Sequence, residues 1–309
     1  MALVTSSRTA GCDWRRTLAF INGAGNEIER ARLRGLLGCA RPDAKAVLTL
    51  EVRQNLDGGF PHGLVQGRPS TIRATAQALA WLEDLSLHGG PLVERSLTFL
   101  LAIQRPDGSW DEPPGVLRFG PPPQQIPGDP RVRILSTALA GYWLARTRYG
   151  GDAVTRAVAH LREHQGPDGR FMGFLRTTWL GAALFMFVEG GESASAARGL
   201  EALAAVDAGR WHPGALAGML GCLATAEVSA DRPFITRGLA RLGSLARPDG
   251  SWLSEDGDAS PVETTLRALR ALVLYGAVSS EPERDVTGSR APTAEPTPPQ
   301  AADTGDATR

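Results

Sequence analysis

Apolar residues return every three or four positions along most of this chain, the spacing of a helix that turns one face to a core. The pattern is keyed to a short polar phrase that recurs four times, as QNLDGGF at 54–60, QRPDGSW at 104–110, QGPDGRF at 165–171 and ARPDGSW at 246–252. Ten and seven residues before the Asp of each phrase stand Val47 and Leu50, Leu97 and Leu100, Val158 and Leu161, Leu239 and Leu242. After each phrase a second register opens on a threonine: Thr75, Thr137, Thr178 and Thr265. Three residues on come Ala78, Ala140, Gly181 and Ala268, and seven on come Leu82, Leu144, Phe185 and Leu272. Small residues at one step and large apolar ones at the next suit a helix packed closely on two sides. Asp-Gly is turn chemistry, because Gly accepts positive φ and Asp bonds the nearby backbone. Each phrase is therefore a tight turn between two helices.

No alternating strand pattern competes, so the spacing predicts an all-α domain of repeated helix pairs. A worn fifth copy ends at Gly209-Arg-Trp211, and Trp14 to Leu37 reads as a helical lead-in able to supply a sixth pair. One pair cannot bury its own apolar face, so successive pairs must stack. Periodicity alone leaves open whether the stack stays a solenoid or closes into a ring. The organisation reads as a lead-in over 1–44, a repeat domain over 45–278, and a Pro/Thr/Ala-rich tail over 279–309. That tail is expected to be disordered, having too little apolar surface to order itself. A segment with seven prolines, 113–130, interrupts the second repeat and reads as a lid or a flexible insertion.

Composition narrows the partners. Lys plus Arg and Asp plus Glu both total 33, which gives no bulk electrostatic pull toward nucleic acid. The three cysteines, Cys12, Cys39 and Cys222, are scattered, so neither a disulfide framework nor a thiolate zinc site is expected, and a cytoplasmic location is. The most apolar stretch, 178–188, is too short for a transmembrane span, which leaves room only for peripheral membrane contact.

The turn phrase followed by a threonine-led, small-residue helix resembles the QW repeat of the squalene–hopene cyclase and prenyltransferase toroids. The resemblance covers roughly residues 45–276 and implies an α/α toroid of five to six helix pairs handling an isoprenoid, such as a prenyl diphosphate, in a central apolar cavity. It implies that Gln54, Gln104 and Gln165 cap neighbouring helix ends and stack on Phe60, Trp110 and Phe171; Ala246 breaks the pattern beside Trp252. In class II cyclases of that family an Asp-x-Asp-Asp motif just before an inner helix protonates the substrate. The matching positions here are Arg73-Ala74, Leu135-Ser136, Arg176-Thr177 and Glu263-Thr264, none of them an acidic pair. The zinc ligands of the protein prenyltransferases are not found either.

Other residues carry the remaining chemistry. Arg73 and Arg176, with Arg131 and Arg133 just upstream of Thr137, stand beside inner-helix N-termini, where guanidinium and backbone N–H groups together suit a phosphate. No cofactor is implied; Mg²⁺ would enter only with a bound diphosphate. Glu263, Asp256 and Asp258 are the carboxylates placed to act as acids, although the Glu255–Asp258 stretch also reads as a solvated loop. Trp81, Trp143, Trp179, Phe185 and Phe187 are placed to line a cavity and steady a cation, or simply to fill a core. His160-Leu-Arg-Glu-His164 matches a zinc-binding H-x-x-E-H arrangement but lies in a pre-turn helix with no third ligand in view, and reads as an ordinary polar face.

Two main functional readings follow: an isoprenoid-binding or isoprenoid-processing toroid, and a non-catalytic repeat scaffold for a protein or lipid partner. A carbohydrate-active toroid would need paired carboxylates across an open groove, for which only Glu263 and the Glu255–Asp258 stretch are available.

Overall fold

The computed structural model describes residues 14–38, 41–254 and 261–277. Twelve α-helices alternate between an outer and an inner layer. The outer helices are α1 (Trp14–Ala24), α3 (Ala44–Arg53), α5 (Pro91–Ala102), α7 (Gly151–His164), α9 (Ala194–Ala204) and α11 (Pro233–Ser244). The inner helices are α2 (Glu27–Leu36), α4 (Ile72–Asp84), α6 (Pro130–Arg146), α8 (Leu175–Glu189), α10 (Pro213–Thr225) and α12 (Pro261–Leu274). Inner neighbours touch in the order α2, α4, α6, α8, α10, α12, and α12 returns to α2. Each outer helix packs on the inner helix before it, and α1 packs on α12. The stack is a closed ring, and the lead-in helices supply its sixth pair.

The division into layers follows from residue character. In α6, residues from Val132 to Leu144 are buried on every side apart from Arg133, and α8 is buried without a break from Thr177 to Phe185. A helix apolar all round belongs between two layers of neighbours. The outer helices instead alternate buried and exposed residues along one stripe. Starts are marked by side-chain caps at Asn26, Asp43, Thr71, Asp129 and Ser193, Asn26 forming a reciprocal box with Glu29.

The repeated phrase works as a joint. The backbone N–H of Phe60, Trp110, Phe171 and Trp252 donates to Oγ1 of Thr75, Thr137, Thr178 and Thr265, at 2.9, 3.0, 3.5 and 3.1 Å. The indole N–H groups of Trp110 and Trp252 reach back to the carbonyls of Leu100 and Leu242. The turn glycines Gly58, Gly108 and Gly169 have φ near +80° and sit so tightly on the next outer helix that a Cβ would lie 2.1 to 2.6 Å from the carbonyl oxygens of Arg95, Arg156 and Arg198. At each of these turns the Gln amide donates into the first turn of that helix, to the carbonyls of Leu92, Ala153 and Ser195. Its oxygen accepts from Arg95, Arg156 or Arg198 in return.

At the fourth phrase the next outer helix is α1. Gly250 (φ +83°) approaches Arg16 and Thr17 as the other turn glycines approach their arginines. Ala246 cannot clamp, and the bonds come from the other side: Arg16 donates to the Pro248 carbonyl at 2.8 Å and Thr17 to the Gly250 carbonyl at 2.9 Å.

The proline-rich insertion is built from two short 3₁₀ turns, Pro114–Phe119 and Pro123–Gln125. Val116 is fully buried, Phe119 stacks on His62 with ring centroids 6.1 Å apart, and Asp111 accepts from Gly128 N–H and pairs with Arg133. A two-residue hairpin, β1 (Phe60–Pro61) with β2 (Ser70–Thr71), leads into α4.

Candidate functional site

The inner helices surround a cavity of about 390 Å³, within the ~300–1,000 Å³ typical of small-molecule sites. Most of its wall is apolar or aromatic: Ala76, Ala80 and Trp81 from α4, Leu135, Leu139, Tyr142 and Trp143 from α6, Trp179 and Leu180 from α8, and Ala217 from α10. Gly214, Gly218 and Gly221 give α10 a flat face toward the space. Where the inner helices begin, Arg73, Phe174 and Arg176 contribute, and the insertion brings in Gln124.

The wall formed by α2, α12 and the end of α4 is charged. Arg32 is 2% exposed, and its guanidinium bonds Asp84 through Nε (3.0 Å) and Nη2 (2.9 Å), and Glu263 through Nη1. The same group lies 5.0 Å from the Trp81 ring centroid. Arg267 donates to Glu263 from one turn further along α12 at 2.9 Å. Arg270 bonds both Glu83 and Asp84, and Arg146 from α6 pairs with Glu83. Four arginines and three carboxylates thus tie α2, α4, α6 and α12 together where the ring closes.

This network sets the protonation state of Glu263. Burial alone would raise its pKa, but Arg32 and Arg267 outweigh burial and hold it at about 2. It is a carboxylate at neutral pH, the opposite of the state an acid needs. Glu83 and Asp84, the other described carboxylates on the wall, are likewise bridged by arginine. Burial pushes the Cys222 thiol up to about 12, which keeps it protonated, and raises the Tyr142 phenol as well.

Of the residues singled out in the sequence, the cavity collects Arg73, Arg176, Trp81, Trp143, Trp179 and Glu263. Arg131 and Arg133 stay outside it, held by Asp129 (2.6 Å) and Asp111 (3.3 Å). Phe185 is core, and Phe187 packs on Tyr142 from behind the wall, 5.5 Å between centroids. His160 and His164 stack on each other, 4.3 Å apart, on outer helix α7. Asp256 and Asp258 lie outside the described residues.

Arg32, Glu83, Asp84, Arg146, Arg267, Arg270 and Glu112 carry no repeat or motif in the sequence that singles them out. Glu112 is 3% exposed and accepts the backbone N–H groups of Ile72 and Arg73, both at 2.9 Å, at the start of α4. Burial raises its pKa to about 7 against the pull of those two donors and of Arg73.

No protein-family model matches this sequence, and no curated protein does. Solved structures do. The type II terpene cyclase MstE from Scytonema is 14% identical with a TM-score of 0.56, the match covering 85% of this chain and 97% of the cyclase. The fold is that of a terpene-cyclase toroid. A variant of the same cyclase in complex with geranylgeranyl dihydroxybenzoate gives a TM-score of 0.58 at 14% identity, covering 85% and 96% of the two chains. A protein from Actinoplanes is 19% identical with a TM-score of 0.58, covering 85% and 98%. No helix among the described residues is long and apolar enough to cross a membrane.

Proposed function

We propose that this chain is a small QW-repeat toroid that binds an isoprenoid in its central cavity. The observation that carries the reading is the aromatic and aliphatic space at the centre of the ring, walled by Trp81, Trp143, Trp179 and Tyr142. Such a wall shelters an unsaturated hydrocarbon from water and offers π-faces to any cation formed on it. The structural likeness to a terpene cyclase that holds a geranylgeranyl substrate supports the same reading at the level of the fold. Arg73 and Arg176 are the groups we assign to a diphosphate, if the occupant carries one, with Mg²⁺ as its companion. The scattered cysteines fit a cytoplasmic setting.

One observation favours binding without cyclisation. Among the described residues, every carboxylate on the cavity wall is engaged by arginine, so none is poised to protonate an alkene. Proton donation would fall to Asp256 or Asp258. Incubation with farnesyl diphosphate, geranylgeranyl diphosphate and squalene, followed by product analysis and a binding isotherm, separates the cases. New cyclic products lost in Asp256→Asn or Asp258→Asn identify a cyclase. Saturable binding without products identifies a carrier or sensor, and no binding with any of the three defeats the proposal in favour of a protein-binding scaffold.

A further inference from the structure

We propose that residues 121–127 form a lid over the cavity mouth, hinged at Gly120 and Gly128, and that the cavity is reached by lifting it. The inference concerns entry to the cavity and goes beyond the question of what occupies it.

Three observations meet in this segment. The first is position. Gln124 lines the cavity beside Arg73, Phe174 and Arg176, at the end where the inner helices begin, so the segment already covers part of that opening. The second is how lightly it is held. No residue from 121 to 128 is buried, whereas Val116 before it and Val132 after it are fully buried. Its backbone hydrogen bonds are local, from Gln125 N–H to the Pro122 carbonyl at 2.8 Å and from Asp129 N–H to that of Ile126 at 3.4 Å. The Gln125 side chain lies within hydrogen-bonding reach of His62, which ties the segment to the hairpin before α4. Segments with few buried contacts are the first to open locally. The flanks are pinned: the Phe119 ring packs on His62 with Arg68 4.8 Å from its centroid, and Asp129 caps α6.

The third observation is the hinges. Gly120 and Gly128 have φ of +60° and +82°, and no heavy atom lies within 4 Å of a Cβ built on either. At the turn glycine Gly108, with φ +81°, a Cβ would instead meet the Arg156 carbonyl oxygen at 2.6 Å. Close packing does not call for glycine at 120 and 128; what glycine supplies there is freedom to leave one backbone well for another. Between them Pro121, Pro122, Pro123 and Pro127 fix their own φ, so the stretch moves as a stiff unit and the two ends absorb the change.

Cys222, a buried thiol on the cavity wall, serves as the reporter. The intact protein is treated with methyl methanethiosulfonate, and labelling is followed at the Cys222 peptide by mass spectrometry. Where closing outpaces labelling, the rate is proportional to the open fraction. Gln125→Ala removes the tie to His62 and should speed labelling about three- to ten-fold, the range for one hydrogen bond. Gly120→Asn with Gly128→Asn keeps the left-handed conformation, which Asn tolerates, but narrows the hinges, and should slow labelling at least about two-fold. Arg162→Ala breaks an exposed pair between α7 and α8 and should leave the rate unchanged. Urea midpoints separate lid opening from global unfolding. A rate that fails to rise in Gln125→Ala, fails to fall in the asparagine variant, rises in Arg162→Ala, or simply follows the midpoints overturns the inference. No isoprenoid enters the experiment, so its failure and the failure of the binding proposal are distinct.

Discussion

The backbone N–H of Trp110 donates to Oγ1 of Thr137 at 3.0 Å, joining a turn to an inner helix 27 residues later. The hydroxyl in turn donates to the Arg133 carbonyl at 2.7 Å. Thr137 is completely buried, so Thr137→Val keeps the shape and strands the Trp110 donor. The expected loss is about 1–3 kcal/mol, read from urea unfolding. An unchanged midpoint would show that the hydroxyl is only a packing group.

Arg32→Met should be the most damaging single substitution on the cavity wall. It leaves Asp84 and Glu263 without their shared guanidinium at the place where α2 meets α4 and α12. Breaking a buried pair from one side costs about 3–5 kcal/mol. A loss below about 1 kcal/mol in denaturant unfolding would mean that the network is not what holds α2 in the ring.

Two buried glutamates give opposite pH dependence. Glu263 is depressed to about 2 from an ordinary 4.5, so its contribution is present above pH 4.5 and is lost as pH falls toward 2. Glu112 is raised to about 7 from 4.5, so its contribution is present below pH 4.5 and is lost as pH rises through 7. Stability should therefore peak on the acid side of neutrality, with limbs on the order of a few kcal/mol. Glu112→Gln should flatten the alkaline limb and leave the acid one. Guanidinium unfolding at intervals from pH 3 to 8 reads both, and an alkaline limb unchanged in Glu112→Gln would remove Glu112 as its source.

Filling the cavity should separate binding from folding. No heavy atom lies within 4 Å of a Cβ built on Gly221, which lines the space from α10. Gly221→Leu occupies it while gaining up to about 1 kcal/mol of helix propensity. The expected outcome is an equal or higher melting temperature with isoprenoid binding lost; retained binding would place the ligand elsewhere.

The fold was legible because one joint is repeated. Leu50, Leu100, Leu161 and Leu242 are all fully buried, and the four register threonines meet the four turn aromatics. The charged wall was not legible, because the links that join its separate helices span 52 to 231 residues and occur once each. Periodicity has no purchase on a contact made only where the ring closes. A trace was present in Arg32, a cation among Ile28, Ala31 and Leu33 on the apolar stripe of α2. Glu112 escaped for a related reason: its counterparts, two residues after each turn aromatic, are His62, Gly173 and Ser254.

The docking of the Gly250 turn on α1 also bears on how the molecule comes apart. An open array of helix pairs has end units that fray and require polar outer faces. Here each pair is held at two seams, and removing any one forfeits both. Opening should therefore be all-or-none, with Trp14 in the first helix and Trp252 in the last turn reporting a single midpoint. Cooperativity of that kind belongs to the closed circuit rather than to any one repeat.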